Sequence, residues 1–169
     1  EGKLLICNVR KFTSTDEPRS PVTTYFLENQ EYYELRSNVY EYTDDRIRFA
    51  LLCRGALEFF NVADEWFPDV VVGTDWMSGY FANLLKTEYK DYPRLQSIAT
   101  VFSIHNLASQ GMKQNHRFIP ETEYDDGSGP LPDFFSPRME NINAMRRGII
   151  CSDVVNTVSE NYANEITME

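Results

Sequence analysis

Apolar residues recur with two different periods along this chain. Between residues 44 and 60 they return every three or four positions, which predicts an amphipathic helix that begins at an acidic pair. The β-branched run at residues 69–74 predicts a buried strand. Residues 98–104, an apolar run that ends before His105, predict a parallel strand covered on both faces, and residues 153–158 predict a further strand. Helix and strand therefore alternate through most of the chain.

The remaining segments complete the predicted order of elements. The pattern predicts two early strands and three later helices: strands at residues 4–9 and 22–27, and helices at about 78–89, at 139–150 and from 159 onwards. Residues 30–43 predict irregular chain or a short helix. Residues 110–137 predict a long loop, which in a compact domain is usually functional or disordered.

The alternation predicts an α/β fold, a doubly wound parallel sheet with flanking helices. Three of the predicted strands end in polar residues: Asp75 with Trp76, His105 with Asn106, and Ser159. The carboxyl ends of parallel strands meet at one edge of a sheet, where ligands bind in open α/β folds. We therefore expect these three strand ends to face one cleft.

Charge and cysteine content narrow the class of protein. The chain has 169 residues, with 16 Lys and Arg against 26 Asp and Glu, giving a formal net charge of −10. This acidic balance argues against nucleic acid and anionic membranes as partners, and no apolar run approaches the roughly 18 residues of a membrane span. No signal peptide is recognisable. Cys7, Cys53 and Cys151 are widely spaced, which predicts free thiols, buried for the last two, and a reducing compartment.

His105 and His116 are the two candidate general acids, bases or ligands. The spacing of Cys, His and acidic residues does not predict a metal site, and no nucleophile elbow or glycine-rich phosphate loop occurs. By itself His105 is compatible with an imidazole bonded to a backbone carbonyl, but its place at a strand end favours a ligand contact. Asp75 fits a helix N-cap and a ligand contact equally, and Trp76 fits core packing and sugar stacking equally. His116 and the acidic residues 121–126 are interpreted as a solvated loop.

Several collinear segments resemble the bacterial glycogen synthases and plant starch synthases. Residues 101–111, V-F-S-I-H-N-L-A-S-Q-G, are similar to their V-F-T-I-H-N-L-A-Y-Q-G motif. Residues 68–79 resemble their P-D-V-V-H-x-H-D-W-H-x-G segment, and residues 156–166 resemble N-T-V-S-P-x-Y-A-x-E-I. Residues 25–29 and 42–50 match further family segments in the same order. The resemblance covers nearly the whole chain.

The resemblance implies the Rossmann-like N-terminal half of a GT-B glycosyltransferase, with residues 1–169 as a single partial domain. A C-terminal nucleotide-sugar-binding domain and a K-x-G-G-L loop are expected outside the sequence, and the fragment alone is expected to be inactive. The implied parent transfers glucose from ADP-glucose, or UDP-glucose in some members, to the non-reducing end of an α-1,4-glucan with retention of configuration. The resemblance also implies that the reaction needs no metal ion and no cofactor. The matched site residues are His105 as the catalytic contact to the donor glucose, and Asp75, Trp76, Asn106, Gln110 and, more weakly, Tyr40 as substrate contacts.

The chain departs from the family pattern at four positions near this site. Val72, Thr74 and Met77 stand where the family has histidines, and Ser109 stands where it has tyrosine. These changes leave two alternatives open: a non-catalytic glucan-binding or regulatory module, and a related transferase with another donor or acceptor. The implied location is the cytoplasm, or a plastid if the source is a plant. The sequence defines no oligomeric state.

Overall fold

The computed structural model describes residues 4–13, 22–112 and 124–168. The chain divides into two compact units, Glu1–Tyr42 and Thr43–Glu169, which are described separately below. The assignment of the whole sequence to one partial domain of a longer protein stays a prediction.

The first unit is built on a two-stranded antiparallel ribbon. Strand β1 (Asn8–Thr13) pairs with β2 (Thr23–Glu28), so that Asn8 faces Glu28 and Thr13 faces Thr23. The predicted first strand is present, but its predicted bounds, residues 4–9, are wrong, because the pairing with β2 starts only at Asn8. The apolar residues on which the prediction was based, Leu4 to Cys7, precede β1, and all six β1 residues are exposed. A π-helical turn, Gln30–Glu34, follows β2 within the segment expected to be irregular or a short helix.

The second unit contains three strands and five helices in its described residues. In chain order they are α1 (Asp45–Val62), β3 (Val70–Thr74), α2 (Asp75–Ser78), α3 (Tyr80–Lys86), β4 (Ala99–Ile104), α4 (Ala144–Cys151), β5 (Val154–Thr157) and α5 (Glu160–Thr167). Short 3-10 turns at Leu95–Ser97 and Pro137–Asn141 precede β4 and α4. None of the helices in the part of the chain that the structure describes is long and apolar enough to cross a membrane.

The three strands form one parallel sheet in the order β3-β4-β5, which confirms the predicted α/β class with a parallel sheet and flanking helices. Val72 lies beside Val101, and Val101 lies beside Val154. β4 is therefore the central strand. The residue that follows β4 lies between the ends of its two neighbours, a position typical of a ligand site.

Among the described residues, the helices cover one face of this sheet. On that face Phe102 is 2% exposed and packs with Ile104 and Met145. Gly148 permits this contact, since a Cβ there would lie 2.4 Å from the Phe102 ring. On the other face Val72 is 61% exposed. The prediction of a buried strand at residues 69–74 is therefore wrong for the described structure, and the strand before His105 is buried on one face only, since Val101 and Ser103 are partly exposed.

The residues that helix α1 buries coincide only in part with its predicted apolar stripe. Phe49, Cys53 and Leu57 are buried as expected, whereas Leu52 is 41% exposed. Arg48 takes a buried position instead and is 2.5 Å from the Asp45 carboxylate. The ion pair lets a charged residue occupy a side that hydrophobic periodicity assigns to apolar residues.

The helix expected at about residues 78–89 is shorter and divided. Gly79 separates α2 from α3, and a Cβ at this position would lie 1.9 Å from the Ala144 carbonyl oxygen. The segment expected to be helical from residue 139 begins with a 3-10 turn, and α4 starts after the cap of Asn143 on Arg146. The close backbone approach at Gly79 and the side-chain cap at Asn143 coincide with these boundaries, and hydrophobic periodicity encodes neither.

The cysteine prediction is confirmed for the two buried thiols. Cys53 and Cys151 are free and buried, and Cys7 is free and partly exposed. Burial raises the pKa of the Cys53 thiol to about 12, since the thiolate has no solvent around it. These thiols are therefore packing residues of the described structure.

Asp125 corrects the interpretation of residues 121–126 as a solvated loop. Its carboxylate is buried and accepts two hydrogen bonds from the Arg147 guanidinium, at 2.7 and 2.9 Å, and a third from the backbone N–H of Asn143 at 3.0 Å. Asp126 is exposed, as expected, and the backbone N–H groups of Ser128 and Gly129 lower its pKa. His116 lies outside the described residues.

Candidate active site

The three polar strand ends lie along the same edge of the parallel sheet. Thr74 at the end of β3 lies beside Ser103, and Ile104 at the end of β4 lies beside Thr157 of β5. Asp75 and His105 follow their strands directly, and Ser159 follows β5 after one residue. The predicted spatial arrangement of these ends is therefore confirmed.

Asp75 connects the end of β3 to the end of β4. Its Oδ1 atom accepts hydrogen bonds from the backbone N–H groups of His105, at 2.8 Å, and of Asn106, at 3.0 Å. Its φ of 55° lies in the left-handed region, which aspartate tolerates better than most residues. Thr74, not Asp75, occupies the N-cap position of α2. The N-cap interpretation of Asp75 was therefore wrong, and its carboxylate fixes the neighbouring loop instead.

His105 is exposed where β4 ends. The alternative of an imidazole bonded to a backbone carbonyl finds no support in the described residues, because the side chain is exposed and the hydrogen bond of His105 is made by its backbone N–H, to Asp75. A neutral imidazole in this position offers one donor and one acceptor nitrogen to a ligand. The geometry is that expected for a side chain presented at the mouth of an α/β sheet.

Asn106 shapes the turn that follows His105. Its Oδ1 accepts from the backbone N–H of Ala108 at 3.1 Å, and its Nδ2 donates to the Ser109 hydroxyl at 3.2 Å. Such a bond from an asparagine side chain to the backbone two residues later is typical of an Asx turn. Ser109, one of the departures from the family motif, thus holds the amide of Asn106 in place.

Tyr162 brings the end of β5 into the site and was not predicted from the residues as a site residue. Its hydroxyl oxygen accepts the backbone N–H of Leu107 at 2.9 Å. The start of its helix, α5, is capped by Ser159, whose hydroxyl accepts from the Tyr162 N–H at 3.2 Å. The sequence contained one signal: Tyr162 lies in the matched segment after Ser159.

Gln110 closes the other end of the loop. Its Oε1 accepts from the Asn143 side chain at 2.8 Å, and its carbonyl accepts from the Met145 N–H at 3.3 Å. Its amide nitrogen also donates to the carbonyl of Leu107. The side chain predicted to contact substrate thus bonds within the protein, and Asn143, which the sequence did not single out, anchors it.

Trp76 packs in the core of the second unit. Its ring meets that of Phe49 edge to face, with centroids 5.0 Å apart, and it packs against the cluster of Phe102. Gly111, at a φ of 75°, lies so close that a Cβ there would be 2.5 Å from a Trp76 ring carbon. Of the two interpretations, the structure supports packing.

The other singled-out residues lie around or outside this site. Val72 and Thr74 are exposed, and the Met77 carbonyl accepts a hydrogen bond from the Cys53 thiol. Tyr40 belongs to the first unit and is 53% exposed, so its role stays a prediction. Within residues 4–13, 22–112 and 124–168, no group of three His, Cys, Asp or Glu side chains is placed to hold a metal ion.

The fold and site define an α/β domain that presents the loop of residues 105–110, the histidine loop, at the carboxyl edge of a parallel sheet. The sequence model of the starch synthase catalytic domain matches residues 3–169. The chain therefore belongs to the starch synthase catalytic domain family.

Curated relatives agree with this assignment. A glycogen synthase from Clostridium acetobutylicum is 35% identical over 150 residues, which are 86% of this chain and 30% of the relative. A glycogen synthase from Geotalea daltonii is 37% identical over 153 residues, 86% of this chain and 30% of the relative. The chain thus spans about 30% of the length of the relatives it matches.

A solved structure has the same fold. The catalytic domain of Starch Synthase IV from Arabidopsis thaliana, bound to ADP and acarbose, matches with a TM-score of 0.71 and 24% sequence identity. The match covers 99% of this chain and 33% of that one. This match supports the predicted α/β fold.

Proposed function

We propose that the parent protein is a retaining glucosyltransferase that moves glucose from ADP-glucose or UDP-glucose to the non-reducing end of an α-1,4-glucan. Family membership supports this proposal, as do the relatives named glycogen synthase. The single observation that carries it is the exposed His105, which emerges from the central strand between two strand ends and is held there by Asp75.

His105 is the proposed contact to the donor glucose. Glycosyl transfer develops positive charge on the sugar and negative charge on the leaving diphosphate. An imidazole fixed by its own backbone orients the sugar without reorganising during the reaction, and orientation alone contributes on the order of 7–11 kcal/mol in favourable cases. The diphosphate charge also needs fixed cations or amides, which we assign to parts of the parent outside this chain.

The other matched residues divide into two groups. Asn106 also bonds within the loop, but it is exposed beside His105, and we therefore assign it a direct contact to the substrate. Asp75, Gln110 and Trp76 are only partly exposed and bond or pack within the protein, so their proposed contribution is the shape of the loop. For Tyr40 the proposed acceptor contact rests on the resemblance alone.

The proposal includes transfer without a metal ion, in the cytoplasm or a plastid.

The transfer reaction is tested with the purified full-length parent, labelled ADP-glucose or UDP-glucose, and glycogen. We expect label in the glucan, and the same rate in the presence of a chelator. A rate abolished by the chelator and restored by a divalent cation would overturn the metal-free part.

Substitution of His105 tests the site itself. We expect His105→Ala to lower kcat/KM by tenfold or more, a loss of about 1.4 kcal/mol of transition-state stabilisation or beyond. Thermal unfolding of the variant should match the wild type, because the exposed side chain makes no core contact. A wild-type rate would remove His105 from the mechanism.

A second candidate is a non-catalytic glucan-binding module. The replacement of family histidines by Val72, Thr74 and Met77, and of tyrosine by Ser109, favours it. In that case the full-length parent would bind glycogen in a sedimentation assay and transfer no glucose from either donor.

A further inference from the structure

Four consecutive backbone N–H groups of the histidine loop each donate to a side-chain oxygen. Those of His105 and Asn106 donate to Asp75, that of Leu107 donates to Tyr162, and that of Ala108 donates to Asn106. Backbone groups in surface loops are commonly hydrated, so side-chain acceptors for a whole run of them constrain the loop strongly.

Tyr162 reaches this loop from the core. Its ring packs against the cluster formed by Phe102, Ile104 and Met145, and its hydroxyl extends to the N–H of Leu107, 2.9 Å away. The aromatic ring and the hydroxyl thus have separate tasks. The ring fixes the tyrosine to the covered face of the sheet, and the oxygen fixes the loop.

We propose that Tyr162 is a positioning residue for His105. The bond to Leu107, two residues after the histidine, holds the turn that aims the imidazole toward the donor sugar. Asp75 fixes the start of the same turn, at His105 and Asn106, and Tyr162 fixes the residue that follows them. The kinetic part of this inference rests on the proposed glucosyl transfer.

A single conservative substitution can test the role of the Tyr162 hydroxyl group. Tyr162→Phe keeps the packed ring and removes only the oxygen, so the Leu107 N–H is left to water. Tyr92→Phe is the matched control: Tyr92 also loses one hydroxyl, is partly exposed, and precedes β4 at the opposite end of that strand. Both variants should fold like the wild type.

The first readout does not depend on catalysis. In the full-length parent we expect hydrogen exchange in peptides covering residues 105–110 to be roughly fivefold faster in Tyr162→Phe, since a hydrogen bond worth about 1 kcal/mol is lost. Tyr92→Phe should leave these peptides unchanged. Unchanged exchange in Tyr162→Phe would overturn the proposal that the hydroxyl fixes the loop.

The second readout is a double-mutant cycle with His105→Ala. We expect Tyr162→Phe to lower kcat for glucose transfer to glycogen by roughly three- to tenfold, with the glycogen KM changed less than about twofold. In the His105→Ala parent the same substitution should change kcat by less than about twofold, because a positioning residue has nothing left to position.

The outcomes separate this inference from the proposed function. Equal losses in both backgrounds, or a wild-type kcat in Tyr162→Phe, would overturn the positioning role while leaving the transferase intact. An inactive wild-type parent would contradict the proposed function, and the exchange measurement would then decide the loop-fixing role alone.

Discussion

An aspartate connects neighbouring strands at each end of the parallel sheet, but the two ends differ in what they expose. At the carboxyl edge Asp75 accepts the N–H groups of His105 and Asn106. At the amino edge Asp153 accepts the N–H and the hydroxyl of Thr100, each at 2.8 Å, and its other oxygen is 3.1 Å from the Lys86 ammonium. In both places one carboxylate joins neighbouring strands.

The difference lies in what each junction presents. Thr100 is buried, and both oxygens of Asp153 already bond within the protein, one to Thr100 and the other to Lys86 of α3. The Asp75 junction instead turns the chain outward and leaves His105 exposed. Function is therefore expected at one end only, although both ends contain the same kind of bond.

The largest expected effect is on activity at the carboxyl edge. Asp75→Ala removes the acceptor of two N–H groups at once, and bonds to a charged acceptor contribute about 1.5–3 kcal/mol each. We expect kcat/KM for transfer by the parent to fall about a hundredfold or more.

A conservative variant serves as the control for Asp75. Asp75→Asn keeps an oxygen acceptor and tolerates the left-handed backbone, so its loss should stay within about tenfold. Equal losses for the two variants would show that the loop geometry is not what Asp75 supplies.

The next effect is on stability at the amino edge. Asp153→Ala should lower the free energy of unfolding of the parent by about 1–2 kcal/mol, because Thr100 loses both of its bonds to the carboxylate. Denaturant titration measures this loss. Transfer activity should stay within about twofold of the wild type, and a large kinetic effect would break the distinction between the two ends.

The smallest effect is a pH dependence of stability. The backbone N–H of Thr100 lowers the pKa of Asp153 most, and the Thr100 hydroxyl and Lys86 lower it further. Because the folded pKa lies below the unfolded value of about 3.9, the carboxylate stabilises the fold fully above that value. This contribution is lost as the pH falls through the folded pKa.

The measurement compares denaturant titrations of wild type and Asp153→Asn between neutral pH and pH values below the unfolded pKa. The stability difference between the two proteins should shrink as the solution becomes more acidic. A difference that stays constant over this range would contradict the assigned role of Asp153.

Local pattern was enough to predict the parallel strands, the long helix α1 and the strand ends that form the site. Each of these depends on side chains close together in sequence. The parallel sheet then places Asp75 and His105 together, because neighbouring parallel strands end at one edge.

The contacts that complete the site could not be predicted from the residues alone. Tyr162 is 55 residues from Leu107 along the chain, and Asn143 is 33 residues from Gln110. Asp125 belongs to an acidic run that is expected to be solvated, yet its carboxylate is buried and hydrogen-bonded to Arg147. Hydrogen bonds across such separations follow from tertiary packing and leave no periodic trace.

A crystal structure of the full-length parent with nucleotide-sugar bound shows directly whether the loop fixed by Asp75 presents His105 to the donor sugar. We expect an imidazole nitrogen of His105 within hydrogen-bond distance of the glucose, roughly 2.6–3.2 Å, with both N–H bonds to Asp75 retained. A glucose bound elsewhere, with the imidazole facing only solvent, would contradict this expectation.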